Sequence, residues 1–339
     1  MPLSKRSELV LLGTGGGPRI WAARSQPASA LIVDGAVYIV DAGDGVTSQL
    51  AKSGIDTNAI KAIFITHNHS DHVADYGTLL LRTWQSGHPG PIKCFGPPPL
   101  KNMTNSYINY MDWDISLRIQ HEARPDFKSM LNVIEIGATP SIHQDSNVKV
   151  DCLKVPHGEA DPSYAYRFQI DDKIIVFSGD TSKSEGLIDF ASHADILVHE
   201  VLNLDGVDAI IEKTYPGNDS FRQHIIQGHT TMSEVGEVAS KAKVKTLVLN
   251  HFVPTGSPVL DKPDIWLNGV KETFKGPIIV GTDLQKILLC PNYLKNLSGR
   301  KNRLNMFSQE IHRPKYNLLI HFSCVNFHHE VFYTNFVQF

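Results

Sequence analysis

Cysteine is scarce in this chain, and the little present cannot form a scaffold. Cys94, Cys152, Cys290 and Cys324 lie far apart and make no Cys-x-x-Cys pair. That excludes a disulfide framework and points to buried thiols of a reducing compartment. Long apolar runs are also missing. No stretch approaches the roughly 20 apolar residues a membrane-spanning helix needs. The early run Leu9-Val10-Leu11-Leu12 follows Glu8 and is too short for a secretion signal, so it suits a first strand. Charge of either sign is not in excess: 32 basic against 35 acidic residues give a net charge of -3. Nothing general therefore draws the chain to nucleic acid or to an anionic membrane. There is no Gly-x-Ser-x-Gly elbow, and Ser146-Asn147-Val148-Lys149 matches a serine-acylating motif by letters only. The expectation is a soluble cytoplasmic protein with no membrane partner.

What is present is a regular alternation of strands and helices. With 339 residues and 42% apolar content, one large domain is as compatible as two. A first round of strands is expected at Glu8–Leu12, Ala30–Val33, Ala36–Val40 and Ala62–Thr66, with Asp34-Gly35 as a two-residue hairpin turn. Helices are expected at Gly45–Ser53 and Ala74–Trp84. A second round predicts strands at Val150–Val155, Tyr164–Ile170, Ile174–Phe177, Ile196–Val198, Thr246–Leu249 and Ile278–Val280. Its helices fall at Ser184–Ala191, Phe221–Ile226, Ser233–Ala242 and Pro263–Phe274. Such alternation implies an α/β layered domain. Gly13-Thr14-Gly15-Gly16-Gly17-Pro18 follows a strand, yet it meets neither the dinucleotide fingerprint nor the phosphate loop, and a tight loop beneath the active site is expected there.

The decisive segment is His67-Asn68-His69-Ser70-Asp71-His72, straight after the apolar run Ile63–Thr66. Residues two apart in an extended segment point the same way, so His67 and His69 can reach one metal. Asp71 and His72, past the turn, can reach a second. Imidazole with some carboxylate suits zinc or another late first-row ion. Further ligand types follow the ends of later strand-like runs: His157, Asp180 and His251.

These motifs, with Ser178-Gly179-Asp180-Thr181, His199-Glu200 and His229-Thr230-Thr231, resemble the metallo-β-lactamase superfamily over about residues 8 to 289. The nearest likeness is to its branch of ribonuclease Z and arylsulfatase-like hydrolases. The resemblance implies a four-layer αβ/βα sandwich and two Zn2+ ions, with Mn2+ or Fe2+ as the other candidates. It implies that His67, His69 and His157 hold the first ion, that Asp71, His72 and His251 hold the second, and that Asp180 bridges them. Asp41 matches the family's aspartate that braces the histidine loop; on spacing alone it could equally cap a helix. His229 is the candidate general acid, with Glu200 orienting it, and Asp71 joins them in the catalytic set. His199 is structural or a helper.

The substrate is less constrained. A hydroxide held by a metal pair suits phosphodiesters, sulfate esters, lactones and thioesters. Ribonuclease Z grips transfer RNA with a protruding basic arm, whereas residues 96–150 balance Lys101, Arg118, Arg124, Lys128 and Lys149 against six acidic side chains. The expectation is thus a small-molecule ester hydrolase of the aryl sulfate or phosphodiester type, with nucleic acid disfavoured. The alternatives are a ribonuclease Z-type 3′ processing endonuclease for transfer RNA, a lactone or thioester hydrolase, and a non-catalytic binding module. Residues 1–289 are expected to be the catalytic domain, with about 100–136 as an inserted lid. The extension 290–339 has no assigned role; its aromatics could pair two copies as a homodimer.

Overall fold

The computed structural model describes residues 7–256, 259–260 and 262–289. The extension 290–339, and any part it plays in pairing copies, lies outside the described residues. Six strands of the first half are β1 (Ser7–Gly13), β2 (Ala28–Val33), β3 (Ala36–Val40), β4 (Ile60–Phe64), β5 (Ile92–Gly96) and β6 (Leu131–Glu135). Then come β7 (Ser141–Gln144), β8 (Lys149–Val155), β9 (Ser163–Ile170), β10 (Lys173–Phe177), β11 (Ile196–Leu202), β12 (Leu247–Val253) and β13 (Ile278–Val280), and finally β14 (Gln285–Leu288). They form two seven-stranded sheets, ordered β14-β1-β2-β3-β4-β5-β6 and β13-β12-β11-β10-β9-β8-β7. The chain closes on itself, because β14 pairs antiparallel with β1.

Side-chain alternation builds the layers. In β1, Leu9 and Leu11 face the second sheet and join Phe64, Tyr166, Phe168 and Val198 in one buried cluster. Val10 and Leu12 point the other way, among residues of the helices that cover the first sheet. Those helices are α1 (Val46–Ser53), α2 (Ser70–Val73), α3 (Tyr76–Gln85), α4 (Leu100–Tyr110) and α5 (Asp112–Glu122). On the second sheet lie α6 (Glu185–Phe190), α9 (Met232–Lys241) and α10 (Pro263–Lys271), while α7 (Leu204–Thr214) and α8 (Asp219–Gly228) pack on the last residues of β11 and β12. Val235 and Val238 of α9 and Trp266 of α10 share a third cluster with Leu197 and Leu247. The result is the expected four-layer αβ/βα sandwich. Trp266 is 1% exposed, and cutting such a ring to alanine costs about 3–5 kcal/mol.

Asp34 and Gly35 both take positive φ, 47° and 82°, and Val33 pairs Ala36 across them. That is the two-residue turn expected from the Asp-Gly dipeptide. Residues 100–136 depart from expectation. They form α4, α5 and β6, and bury Leu100, Ile115, Phe127 and Met130 in the core of the first sheet. Trp84 Nε1 donates to Pro125 O at 3.0 Å and Arg124 Nη1 to Gln85 O at 2.7 Å, tying the segment to α3. The expected lid is therefore part of the outer helical layer. Phe127 is buried in that layer and Tyr107 packs against it, whereas Tyr110 and Trp113 are exposed.

Candidate metal centre

The loops that leave the C-terminal ends of the strands converge on one spot. Beyond β4, Thr66 is anchored by Asp41, which follows β3: Thr66 N and Oγ1 donate to Asp41 Oδ1 at 2.8 and 3.0 Å. Asp41 Oδ2 also lies 2.9 Å from His72 Nδ1. It does not cap a helix, since Gly45 occupies the N-cap of α1. With Asp41 holding both ends, the histidine loop has little freedom, and His72 is left with Nε2 aimed at the cluster.

Two groups of donors assemble. His67 Nε2 and His157 Nε2 lie 3.0 and 3.1 Å from His69 Nδ1. Asp71, His72, Asp180 and His251 form the second group, with one ligand atom of each within 4.8 Å of every other. Asp180 Oδ2 stands between the two. It is 3.8 Å from both His67 Nε2 and His157 Nε2, 3.3 Å from His72 Nε2 and 3.0 Å from His251 Nε2. All the candidate ligands except His69 are buried, and all seven come together. His157 is turned by its other ring nitrogen, which meets Gly228 O at 2.6 Å.

Two glycines make this crowding feasible. A Cβ at Gly16 would fall 2.7 Å from His251 Nδ1, so the loop beneath the site must lack a side chain there. Gly17 N, next along, donates to Asp71 Oδ2 at 2.9 Å. Gly179 has φ +60°, and a Cβ would meet Tyr164 O at 2.6 Å. This glycine turn sets Asp180 at the end of β10.

The electrostatics divide along the same line. Burial, reinforced by neighbouring imidazoles, holds His67 well below the usual histidine range and lowers His157 to about 4. Burial also opposes a charged His72 or His251, but Asp180 and Asp71 outweigh it and raise both. In turn, burial opposes a charged Asp180, while His251 and His72 pull it well below the carboxylate range. The first group thus offers neutral imidazole, and the second offers carboxylate whose charge needs a cation. His72 Nε2 is buried with no hydrogen-bond partner. The donor set and that orphaned nitrogen fit a metal site of nitrogen and oxygen ligands.

His229 lies at the C-terminal end of α8 beside this cluster, its ring centroid 5.1 Å from that of His157. Its Nδ1 is 3.3 Å from Glu200 Oε2, a close approach that falls short of a hydrogen bond. Glu200 is held by Thr230 N, which donates to Oε1 at 2.8 Å. His199 points elsewhere: its Nδ1 contacts Glu200 O at 2.7 Å, and it belongs to none of the ligand groups found among the described residues. His229 and His157 face a cavity of about 390 Å³ that also reaches His69, Asp71, Asp180 and His251. Its far wall is α7 and α8, with Val207, Ile211, Tyr215, Phe221 and Ile225. From sequence, the body of α8 is expected at Phe221–Ile226, but neither α7 nor the wall that the two helices make. Its signal was there in Val207, Ile210 and Ile211 at helical spacing, behind an Asn203 cap that accepts from Gly206 N.

The family described as Anti-Pycsar protein Apyc1 matches residues 7–251. A protein named Ribonuclease Z from Mycobacterium bovis (strain BCG / Pasteur 1173P2) is 30% identical over 287 residues, covering 84% of this chain and 99% of that protein. Among solved structures, the metallo-beta-lactamase fold protein YhfI from Bacillus subtilis is similar, with a TM-score of 0.61, 20% identity and 84% of this chain covered against 99% of that one. The short form of human tRNase Z gives 0.59, 21%, 83% and 98%. With the folding pattern, the converging ligand set and this kinship together, the chain belongs to the metallo-β-lactamase superfamily, as a metal-dependent ester hydrolase of its ribonuclease Z-like branch and a member of the Apyc1 family.

Proposed function

We propose that this protein is a dinuclear metal-dependent phosphodiesterase. The observation that carries the reading is Asp180 Oδ2, which faces His67 and His157 on one side and His72 and His251 on the other. In this reading His67, His69 and His157 hold one ion, Asp71, His72 and His251 hold the other, and Asp180 serves both. Zinc is the first choice for such ligands. When bound, the ion pair supplies an activated water and the positive charge that polarises the ester. The protein's own residues do the rest. Asp41 fixes the tautomer of His72, and the Gly228 carbonyl fixes that of His157. His229 delivers a proton to the leaving oxygen, kept in place by Glu200. The kinship with ribonuclease Z favours a phosphodiester over a sulfate ester, lactone or thioester.

For the size of the substrate, the cavity argues for a small phosphodiester, of nucleotide dimensions. The cover over it carries Asp205, Asp208, Glu212 and Asp219 against Lys213 and Arg222. Arg118 and Arg124, within residues 96–150, are already paired with Asp114 and Glu122. Phosphate-tracking surfaces are basic, and this one is not. A second reading, 3′ processing of transfer RNA, is favoured by the relative named Ribonuclease Z, matched over 99% of its length, and it weighs against the expectation that nucleic acid is disfavoured. For location, Cys94 and Cys152 are buried free thiols, and no described helix is long and apolar enough to cross a membrane; we assign the protein to the cytoplasm on the thiols.

Screening the zinc-loaded protein on bis(4-nitrophenyl) phosphate, 4-nitrophenyl sulfate, a lactone and precursor transfer RNA tests this. Chelator-sensitive hydrolysis of the phosphodiester, with the sulfate and lactone untouched, is expected. Efficient trailer removal from the RNA moves the second reading to first place. Loss of the phosphodiester and RNA activities together overturns both.

A further inference from the structure

We infer that Asp283, in the turn between β13 and β14, is a positioning residue for the second metal ion, acting through the glycine loop beneath the site; this rests on the dinuclear reading and adds a residue to it. Asp283 belongs to neither donor group. Its carboxylate instead accepts four hydrogen bonds from three separate stretches of chain. Thr14 N and Oγ1 donate to Oδ1 at 3.0 and 2.7 Å. Ser25 N donates to Oδ2 at 2.6 Å, and Gln49 Nε2, from α1, donates to the same oxygen at 3.0 Å. An ionised carboxylate offers roughly four acceptor sites, so this one is fully engaged.

Thr14 and Ser25 are the two ends of one loop, and Gly15 N donates to Ser25 O at 2.9 Å to close its neck. Phe252 N donates to Thr14 O and Gly16 N to Phe252 O, both at 3.1 Å, so β12 grips the outgoing side of the neck. Asp283 ties the returning side, at Ser25, to it. Arg24 completes the clasp: Nη1 donates to Thr14 Oγ1 at 2.6 Å and to Gly281 O at 2.8 Å, with the guanidinium 4.2 Å over the Phe252 ring. What the neck carries is two contacts to ligands. Gly16 lies against the His251 ring. Gly17 N donates to Asp71 Oδ2, the oxygen that faces His72 Nε2 at 3.5 Å and His251 Nε2 at 3.2 Å. The loop matters most for His251, whose Nδ1 is buried with no hydrogen-bond partner among the described residues. Packing on Gly16 stands there in place of a polar brace. The first group is braced from elsewhere, His67 Nδ1 by Thr66 Oγ1 at 3.0 Å and His157 Nδ1 by Gly228 O. A change at Asp283 should therefore be felt by one ion and not by the other.

The test replaces Asp283 by asparagine, which keeps the shape but turns an amide NH2 toward one pair of donors. The full chain, stripped of metal, takes up cobalt(II) against a competing chelator, followed by visible absorption. His251→Ala supplies the spectrum of the first group alone. Asp283→Asn should bind the first ion as wild type does and the second about 10- to 100-fold more weakly, the usual range for losing a ligand's outer partner. At intermediate cobalt its spectrum should match that of His251→Ala. Thr14→Val removes one donor of the four and should weaken the second ion by less; it decides the matter if the asparagine variant does not fold. Gln285→Ala loosens the same turn, where Gln285 Oε1 accepts from Thr282 N at 3.1 Å, and should leave both ions unchanged. Equal weakening of both ions, an unweakened second ion, or a loss as large in Gln285→Ala overturns the inference. Failure of the dinuclear reading looks different, because wild type itself then binds fewer than two ions.

Discussion

At the scale of the residue, Asp180 and His229 have separable duties. Asp180 touches both donor groups, so Asp180→Ala should cost both metal ions, read as bound zinc per chain after dialysis. His229 stands beside the cluster. His229→Ala should keep its zinc and lose about a hundredfold or more in kcat. The loss should shrink for phosphodiesters with very good leaving groups, and an equal loss across a leaving-group series would assign His229 another task. Gly16 offers a purely steric case. Gly16→Ala puts a methyl 2.7 Å from the His251 ring, so zinc should fall toward one ion per chain while the His67–His69–His157 group stays filled.

At the scale of the element, β7 carries a titratable group far from the chemistry. His143 packs its ring against Phe64 and Phe95 and contacts Asp145 at 3.1 Å. Burial holds its pKa below the ordinary value, and Asp145 only partly offsets that. The folded state therefore binds the proton less readily than the unfolded chain. Stability is complete above the unfolded pKa of roughly 6.5 and falls as pH drops below it toward the folded value. Urea unfolding of wild type and His143→Leu should show the variant losing less stability between pH 7 and the acid end of the transition. Parallel pH curves for the two proteins would show that His143 does not contribute. The helices α7 and α8 illustrate the other use of an element. Their small separate core leaves an apolar face for the cavity, where α9 and α10 have theirs buried on the sheet.

At the scale of the whole molecule, β14 returns to pair with β1, so the first sheet is closed by Leu288. A chain ending at Leu289 should fold, bind metal as the full protein does, and keep most of its hydrolytic rate. Loss of zinc on that truncation, measured by metal analysis, would move the domain boundary. By itself the sequence determined the layered α/β class, the Asp-Gly hairpin and the ligand candidates. Period-two burial, turn dipeptides and clustered imidazoles are local signals, and they survive without knowledge of the fold. Tertiary structure alone decided that α4 and α5 belong to the outer layer and that α7 and α8 wall the cavity. Both are amphipathic pairs of ordinary composition, and an apolar helix face does not say which surface will cover it. It also decided that Asp41 braces Thr66 and His72 instead of capping a helix. That choice depends on contacts across 25 and 31 residues, which no local pattern encodes. The site exists only because separate strand ends arrive at one place.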